Sequence, residues 1–264
     1  MAFVILILGP LFIPDKRFAF TLYAILGAFT LVELSKLCAK TGTTANFLVS
    51  ASIYAIAVGT AYYMFFQKTS PKWSILIFAL VCLVAFVSEL FQSNDRPMER
   101  ISVSIIQALY VASSFLGIGY FFALRNDFSN LILTISVFVL IWINDSGAYL
   151  IGRKIGKTKL FERLSPNKTW EGTIGGLFCA LVAGGLLSRL ENMPNLLQMI
   201  GFTLACVVFG SLGDLFESRI KRAAGVKDSG KFLPGHGGFF DRFDAMMLAI
   251  PAAIIYFELF IPKS

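Results

Sequence analysis

Residues 132–149 read ILTISVFVLIWINDSGAY, an almost unbroken apolar run from Ile132 to Ile143 that ends on Asn144, Asp145 and Ser146. A run of this kind belongs in hydrocarbon, where an acid at the centre of a helix costs roughly 2.5–3.5 kcal/mol and less toward the interface. Asp145 therefore marks either a helix end snorkelling to water or a wet cavity in which a cation or proton balances the carboxylate. The pattern recurs from Ile200 to Leu212, followed by Gly213 and Asp214.

The rest of the chain is of one piece with this stretch. Of 264 residues, 56% are apolar, 15% are charged and 27 are Phe, with a mean hydropathy of +0.74. Soluble domains carry roughly 25% charged residues, so there is too little polar surface here to coat a globule. A soluble enzyme, a disordered chain and a disulfide scaffold are excluded. Apolar runs predict helices over 2–13, 18–38, 46–66, 73–92, 101–123, 129–151, 171–190, 196–216 and 244–261. At about 20 residues per span, the fold class is an all-α integral membrane protein, a polytopic bundle of about nine transmembrane helices. The first run is short and contains Pro10, and reads as a half-span, an interfacial segment or a span missing its start. It lacks a basic n-region, so no cleavable signal peptide is expected. Residues 1–125 form an N-terminal and middle membrane region, and 126–264 a C-terminal catalytic region.

The chain carries 23 Lys and Arg against 16 Asp and Glu. Basic cytoplasmic loops account for that excess, without a nucleic-acid partner. Sixteen of the 23 fall on one side of the predicted topology, which makes that side cytoplasmic, the N-terminus inside and the C-terminus outside. Cys38, Cys82, Cys179 and Cys206 form no CxxC pair and the sole histidine is His236, which argues against a zinc site or disulfide framework.

Two polar segments, 144–172 and 213–244, interrupt the apolar pattern, both on the cytoplasmic side. Asp214 shares a helical face with Glu217, Ser218 and Lys221, which is either a solvated salt-bridge ladder or part of a site. Pro234-Gly235-His236-Gly237-Gly238 cannot be good helix, but it can bring backbone N–H groups close to an anion. Lys227, Lys231 and Arg242 add positive charge. Asp241 and Asp244 precede the last apolar run and read as helix caps or as ligands. Hard carboxylate oxygens suit Mg²⁺, which pairs with substrate phosphates, so Asp214, Asp228 and Asp241 read as a magnesium–phosphate site. His236 fits an acid–base or phosphate-donor role, or simply a turn. Gly152 and Gly156, four apart, permit either close helix contact or an anion-binding helix exit. Ser165-Pro166-Asn167-Lys168-Thr169 reads as a turn starting the next helix, with Glu171 in its first turn and Lys168 as a spare phosphate contact.

Ser218-x-x-Lys221-Arg222, Lys227-Asp228 and Pro234-x-His236-Gly237-Gly238-x-x-Asp241-Arg242-x-Asp244 together resemble the signature of the phosphatidate cytidylyltransferases, or CDP-diacylglycerol synthases, with spacing intact over 27 residues. Asp145–Tyr149 and Ser165–Gly172 are similar to two other blocks of that family, so the resemblance covers about 140–264. It implies that CTP and phosphatidate react to give CDP-diacylglycerol and pyrophosphate, with Mg²⁺ required and a second cation left open. It also implies a homodimer in a bacterial inner membrane, with a cytoplasm-facing active-site funnel. By the same resemblance Asp214, Asp241 and Asp244 hold metal. Lys221, Arg222, Lys227, Asp228, His236 and Arg242 form the catalytic set, the cations neutralising phosphates and Asp228 supporting the metal cage. Asp145, Ser165, Lys168, Ser218, Gly237 and Gly238 contact substrate. Ala245 stands where relatives often have a serine. The rival readings are a transporter or cation pathway, which would spread its acids across membrane depth, and a CTP-dependent lipid kinase, which would release CDP.

Overall fold

The computed structural model describes residues 2–43, 45–67, 72–89, 96–123, 128–230 and 237–261. Apolar runs become helices, and polar residues at their edges decide where several begin. Asp15 accepts the Arg17 N–H at 3.0 Å and starts α2 (Lys16–Lys40). Asn46 accepts from Leu48 and Val49 and starts α3 (Phe47–Tyr62). Each cap satisfies donors that the first turn of a helix leaves without partners.

In chain order the remaining helices are α1 (Ala2–Leu8), preceding α2, then α4 (Lys72–Glu89), α5 (Pro97–Ala123), α6 (Phe128–Ile155), α7 (Trp170–Leu187), α8 (Leu196–Ala223), α9 (Phe240–Phe243) and α10 (Met246–Phe260). Among the described residues seven helical stretches are long and apolar enough to cross a membrane, rather than nine. The first predicted span is not one of them. Pro10 lies in a 3₁₀ turn of 4 residues that follows the 7 residues of α1, and together these reach only about 18 Å against the roughly 30 Å of a hydrocarbon core. The fourth is apolar over the shorter Leu76–Val87. All the others are found, and the protein is an all-α polytopic membrane protein.

Among the described residues the one sheet is a small antiparallel hairpin, β1 (Lys159–Phe161) with β2 (Ser165–Thr169), in which Lys159 pairs with Thr169 and Phe161 with Ser165. The segment expected to be a turn is thus a strand. The helix start after it is as expected: Thr169 accepts the Gly172 N–H at 3.2 Å and caps α7. Glu171 in the first turn accepts the N–H groups of Lys157 and Thr158, each at 3.1 Å, and closes the hairpin against the helix.

The chain divides into two compact units, Met1–Leu124 with Ile220–Arg242, and Arg125–Arg219 with Phe243–Ser264. In the first, α2, α3 and α5 pack through buried aromatic rings and a few hydrogen bonds. Tyr54 donates to the Ala24 carbonyl at 2.8 Å, and Gln107 donates to Ser50 Oγ at 2.6 Å while accepting from Ser35 at 3.2 Å. Since lipid is as apolar as leucine, such polar contacts and tight packing help hold membrane helices together.

In the second unit α6 and α7 lie backbone against backbone. A Cβ at Gly176 would come within 2.9 Å of the Ala148 nitrogen, and one at Gly172 within 3.0 Å of the Gly152 Cα. Of the two readings for the Gly152 region, close helix contact is the one observed. Gly176→Val is therefore expected to overpack this contact and destabilise the fold by roughly 1–3 kcal/mol. Thermal unfolding in detergent would measure it, and an unchanged midpoint would mean that the two helices are free to part.

Candidate active site

The second unit gathers charge at one place. Asp214 and Glu217 are one helical turn apart on α8, and Asp244 lies just before α10. One carboxylate oxygen from each falls within 4.8 Å of the others. Two features of the sequence allow this. The i, i+3 spacing puts Asp214 and Glu217 on one face. Gly213 removes the obstacle on the other side, since a Cβ there would come within 2.6 Å of the Asp244 carbonyl. Glu217 is almost wholly buried, at 1% exposure, and Asp244 is half-buried with its carboxylate accepting the Ala245 N–H at 2.6 Å. The N-cap position of α10 is Ala245, which has no side chain able to cap it.

A cation is already present in this cluster. Lys168, carried by β2, donates to Asp214 Oδ2, and both side chains keep 30% of their surface exposed. The charges of Lys168 and Asp214 also act on Asp145 of α6, whose Oδ1 accepts from Asn144 at 3.2 Å. The structure thus relates four of the expected residues, Asp145, Lys168, Asp214 and Asp244, and adds Glu217. Ser165 opens β2 opposite Phe161. Ser218 is half-buried on α8.

Asp241 belongs to the other unit and is engaged there. Its Oδ1 accepts from Lys221 Nζ at 2.8 Å, and its Oδ2 accepts the main-chain N–H groups of Ser229 and Gly238, both at 2.8 Å. The glycines do bring N–H groups to an anion, and for Gly238 that anion is the chain's own Asp241. Gly237 is needed because its φ is +79° and a Cβ would meet Asp241 Oδ2 at 2.5 Å. Lys221 is delivered by the end of α8, where Gly225 at φ +66° lets the Val226 N–H return to the Lys221 carbonyl at 3.0 Å, the usual glycine stop. Arg222, Lys227 and Asp228 are exposed and Arg242 is half-buried. His236 and Lys231 lie outside the described residues.

This helical membrane chain, which carries the 218–244 signature, has relatives among known proteins. The model described as the Cytidylyltransferase family matches residues 1–260. The chain belongs to that family. A Staphylococcus aureus protein named phosphatidate cytidylyltransferase is 39% identical over 196 residues, 74% of this chain and 75% of the relative. A Bacillus subtilis protein of the same name is 34% identical over 245 residues, 92% and 88% of the two chains. A Staphylococcus haemolyticus relative, also so named, reaches 47% over 141 residues, 52% and 54%.

Two acids escaped the sequence reading. Glu217 was visible on the Asp214 face but was not separated from a solvated ladder. Glu33 on α2 carried no motif at all. The Lys168–Asp214 contact should appear in a double-mutant cycle of Lys168→Met and Asp214→Asn as a coupling on the order of 1 kcal/mol in thermal stability. Strict additivity would show that the pair contributes nothing to the fold.

Proposed function

We propose that this cytidylyltransferase-family protein transfers the cytidylyl group of CTP to phosphatidate, yielding CDP-diacylglycerol and pyrophosphate in phospholipid biosynthesis. The observation that carries the reading is the carboxylate cluster of Asp214, Glu217 and Asp244 beside Lys168, in a chain whose relatives bear that name over most of its length.

The donor set suits a hard divalent cation. Three carboxylate oxygens within 4.8 Å of one another supply the hard oxygen donors that Mg²⁺ prefers. Asp214, Glu217 and Asp244 would hold the ion, which would orient the triphosphate and offset charge on the departing pyrophosphate. In this reading Asp241, which the signature also assigns to metal, organises its own segment.

The nucleophile is the phosphate of phosphatidate, already an oxyanion, so no serine or cysteine needs activation. Its oxygen forms a bond to the α-phosphorus of CTP as the bond from that phosphorus to the β-bridging oxygen breaks and pyrophosphate leaves. The task left to the protein is alignment and screening between two polyanions. Lys168 serves both ends, holding Asp214 and lying within reach of an incoming phosphate. Lys221, Arg222, Lys227 and Arg242 are assigned to phosphate neutralisation by the signature they share with the family. The bacterial inner membrane and a cytoplasm-facing site are supported by the Lys and Arg bias and the bacterial relatives. A homodimer is carried over from the family resemblance.

Purified protein given CTP labelled at the α-phosphorus should move label into lipid only with phosphatidate and Mg²⁺ present. Label transferred from the γ-phosphorus would instead mark a kinase. Asp214→Asn and Asp244→Asn are each expected to reduce turnover by about 100-fold or more, with insertion intact. Near-normal turnover removes that carboxylate from the metal site. Lys168→Ala is expected to raise the apparent KM for substrate by about tenfold. Unchanged kinetics would leave Lys168 a structural partner of Asp214 only.

A further inference from the structure

Glu33 sits in the apolar helix α2 among the buried Leu31, Leu34 and Leu37. A carboxylate on a membrane helix is expensive unless donors meet it, and such residues mark function. Here the donors come from 196 and 207 residues further along the chain. Glu33 Oε2 accepts the Ser229 hydroxyl at 2.9 Å and the Phe240 main-chain N–H at 2.9 Å. The segment is cut to fit this acid. A Cβ on Gly230 would meet Glu33 Oε1 at 2.5 Å, and one on Gly238 would meet Glu33 Cδ at 2.7 Å. One turn earlier on α2, the Phe29 ring stacks on Phe239 with centroids 5.2 Å apart and planes at 10°.

Ser229 links two acids. Its hydroxyl lies 2.9 Å from Glu33 Oε2 and 3.0 Å from Asp241 Oδ2, yet a hydroxyl has one proton to donate. When that proton goes to Glu33, Asp241 is still met by the Ser229 and Gly238 N–H groups and by the Lys221 ammonium. Without Glu33, the Phe240 N–H loses its acceptor and Ser229 turns wholly to Asp241. Asp241 then gains a competitor to Lys221, and the two stretches of chain that precede it, Ser229–Gly230 and Gly237–Phe240, lose their anchor to α2.

We propose that Glu33 is a positioning residue of the transferase, rooting Ser229–Gly230 and Gly237–Phe240 on α2 so that Asp241 fixes the direction in which Lys221 is presented to the CTP phosphates. The proposal rests on the transferase reading above. It gives the first half of the chain, which carries no signature, a defined part in nucleotide binding.

The test compares wild type, Glu33→Ala, Glu33→Gln and Ser229→Ala, each full length in lipid nanodiscs, by steady-state kinetics and by amide hydrogen exchange. Glu33→Ala is expected to raise the KM for CTP about tenfold with kcat changed by less than about threefold and the KM for phosphatidate unmoved. Glu33→Gln keeps an acceptor oxygen and should return the KM to within about threefold of wild type. Exchange at Phe240 and Ser229 should accelerate by about tenfold or more in Glu33→Ala. A residue of merely structural importance would lower the yield of folded protein without moving the KM.

The proposal is overturned if Glu33→Ala leaves the CTP KM within about twofold of wild type, if Glu33→Gln is as impaired as Glu33→Ala, or if exchange is unchanged. Should Glu33→Ala fail to accumulate, Ser229→Ala decides the matter: a rise in CTP KM of about threefold or more supports it, and no change overturns it. A wild type that makes no CDP-diacylglycerol would fail the transferase reading instead. The exchange result would then still show whether Glu33 anchors the segment.

Discussion

A carboxylate in a chain with this little polar surface must be met by a cation or by N–H and O–H donors, because the surrounding lipid and helices offer neither. Much of what is particular to this protein follows from that requirement. Asp214 is met by Lys168, Asp241 by Lys221 and two backbone N–H groups, and Glu33 by Ser229 and Phe240. Even Glu89, 5% exposed, is matched by Arg100 at 3.3 Å. Each pairing ties one stretch of chain to another, so satisfying an acid and organising a polar segment are the same physical event.

Glycine makes these meetings possible in a second way. Close approach of backbones at Gly172 and Gly176 locks α6 to α7, and with it the hairpin that carries Lys168. Gly213 does the same for α8 and the start of α10, so that acids thirty positions apart in sequence share one cluster. In water the packing of such surfaces is driven by burying apolar area. In a bilayer that drive is weak, and what remains is dispersion at short range together with buried hydrogen bonds. Small residues are then placed where contact must be tightest.

Asp241 and Asp244 show what a motif leaves to the tertiary structure. Both lie in the same signature, three residues apart, and both were assigned to metal. Asp244 joins Asp214 and Glu217, whereas Asp241 turns to Lys221, Ser229 and Gly238. On a continuous helix a spacing of three would put them on one face, but α9 ends at Phe243 and α10 begins only at Met246. Glu217 was legible as a member of the Asp214 face, yet nothing in its spacing distinguished a buried ligand from a solvated salt-bridge partner. Glu33 was not legible, because a lone acid in an apolar helix has no pattern until its partners are known.

Composition alone decided that the chain lives among lipids, since 56% apolar and 15% charged residues leave no other stable arrangement, and periodic apolar runs located most of the helices. The 218–244 spacing decided the family, because chemistry on phosphates demands particular side chains at particular intervals. Local order in the sequence cannot say which acids meet, since that depends on where separate helices touch. The grouping of Asp214 with Glu217 and Asp244, the commitment of Asp241 to the glycine segment, and the reach of Glu33 to Ser229 and Phe240 were settled only by tertiary packing, in which contacts between residues far apart in the chain determine where charge can be balanced.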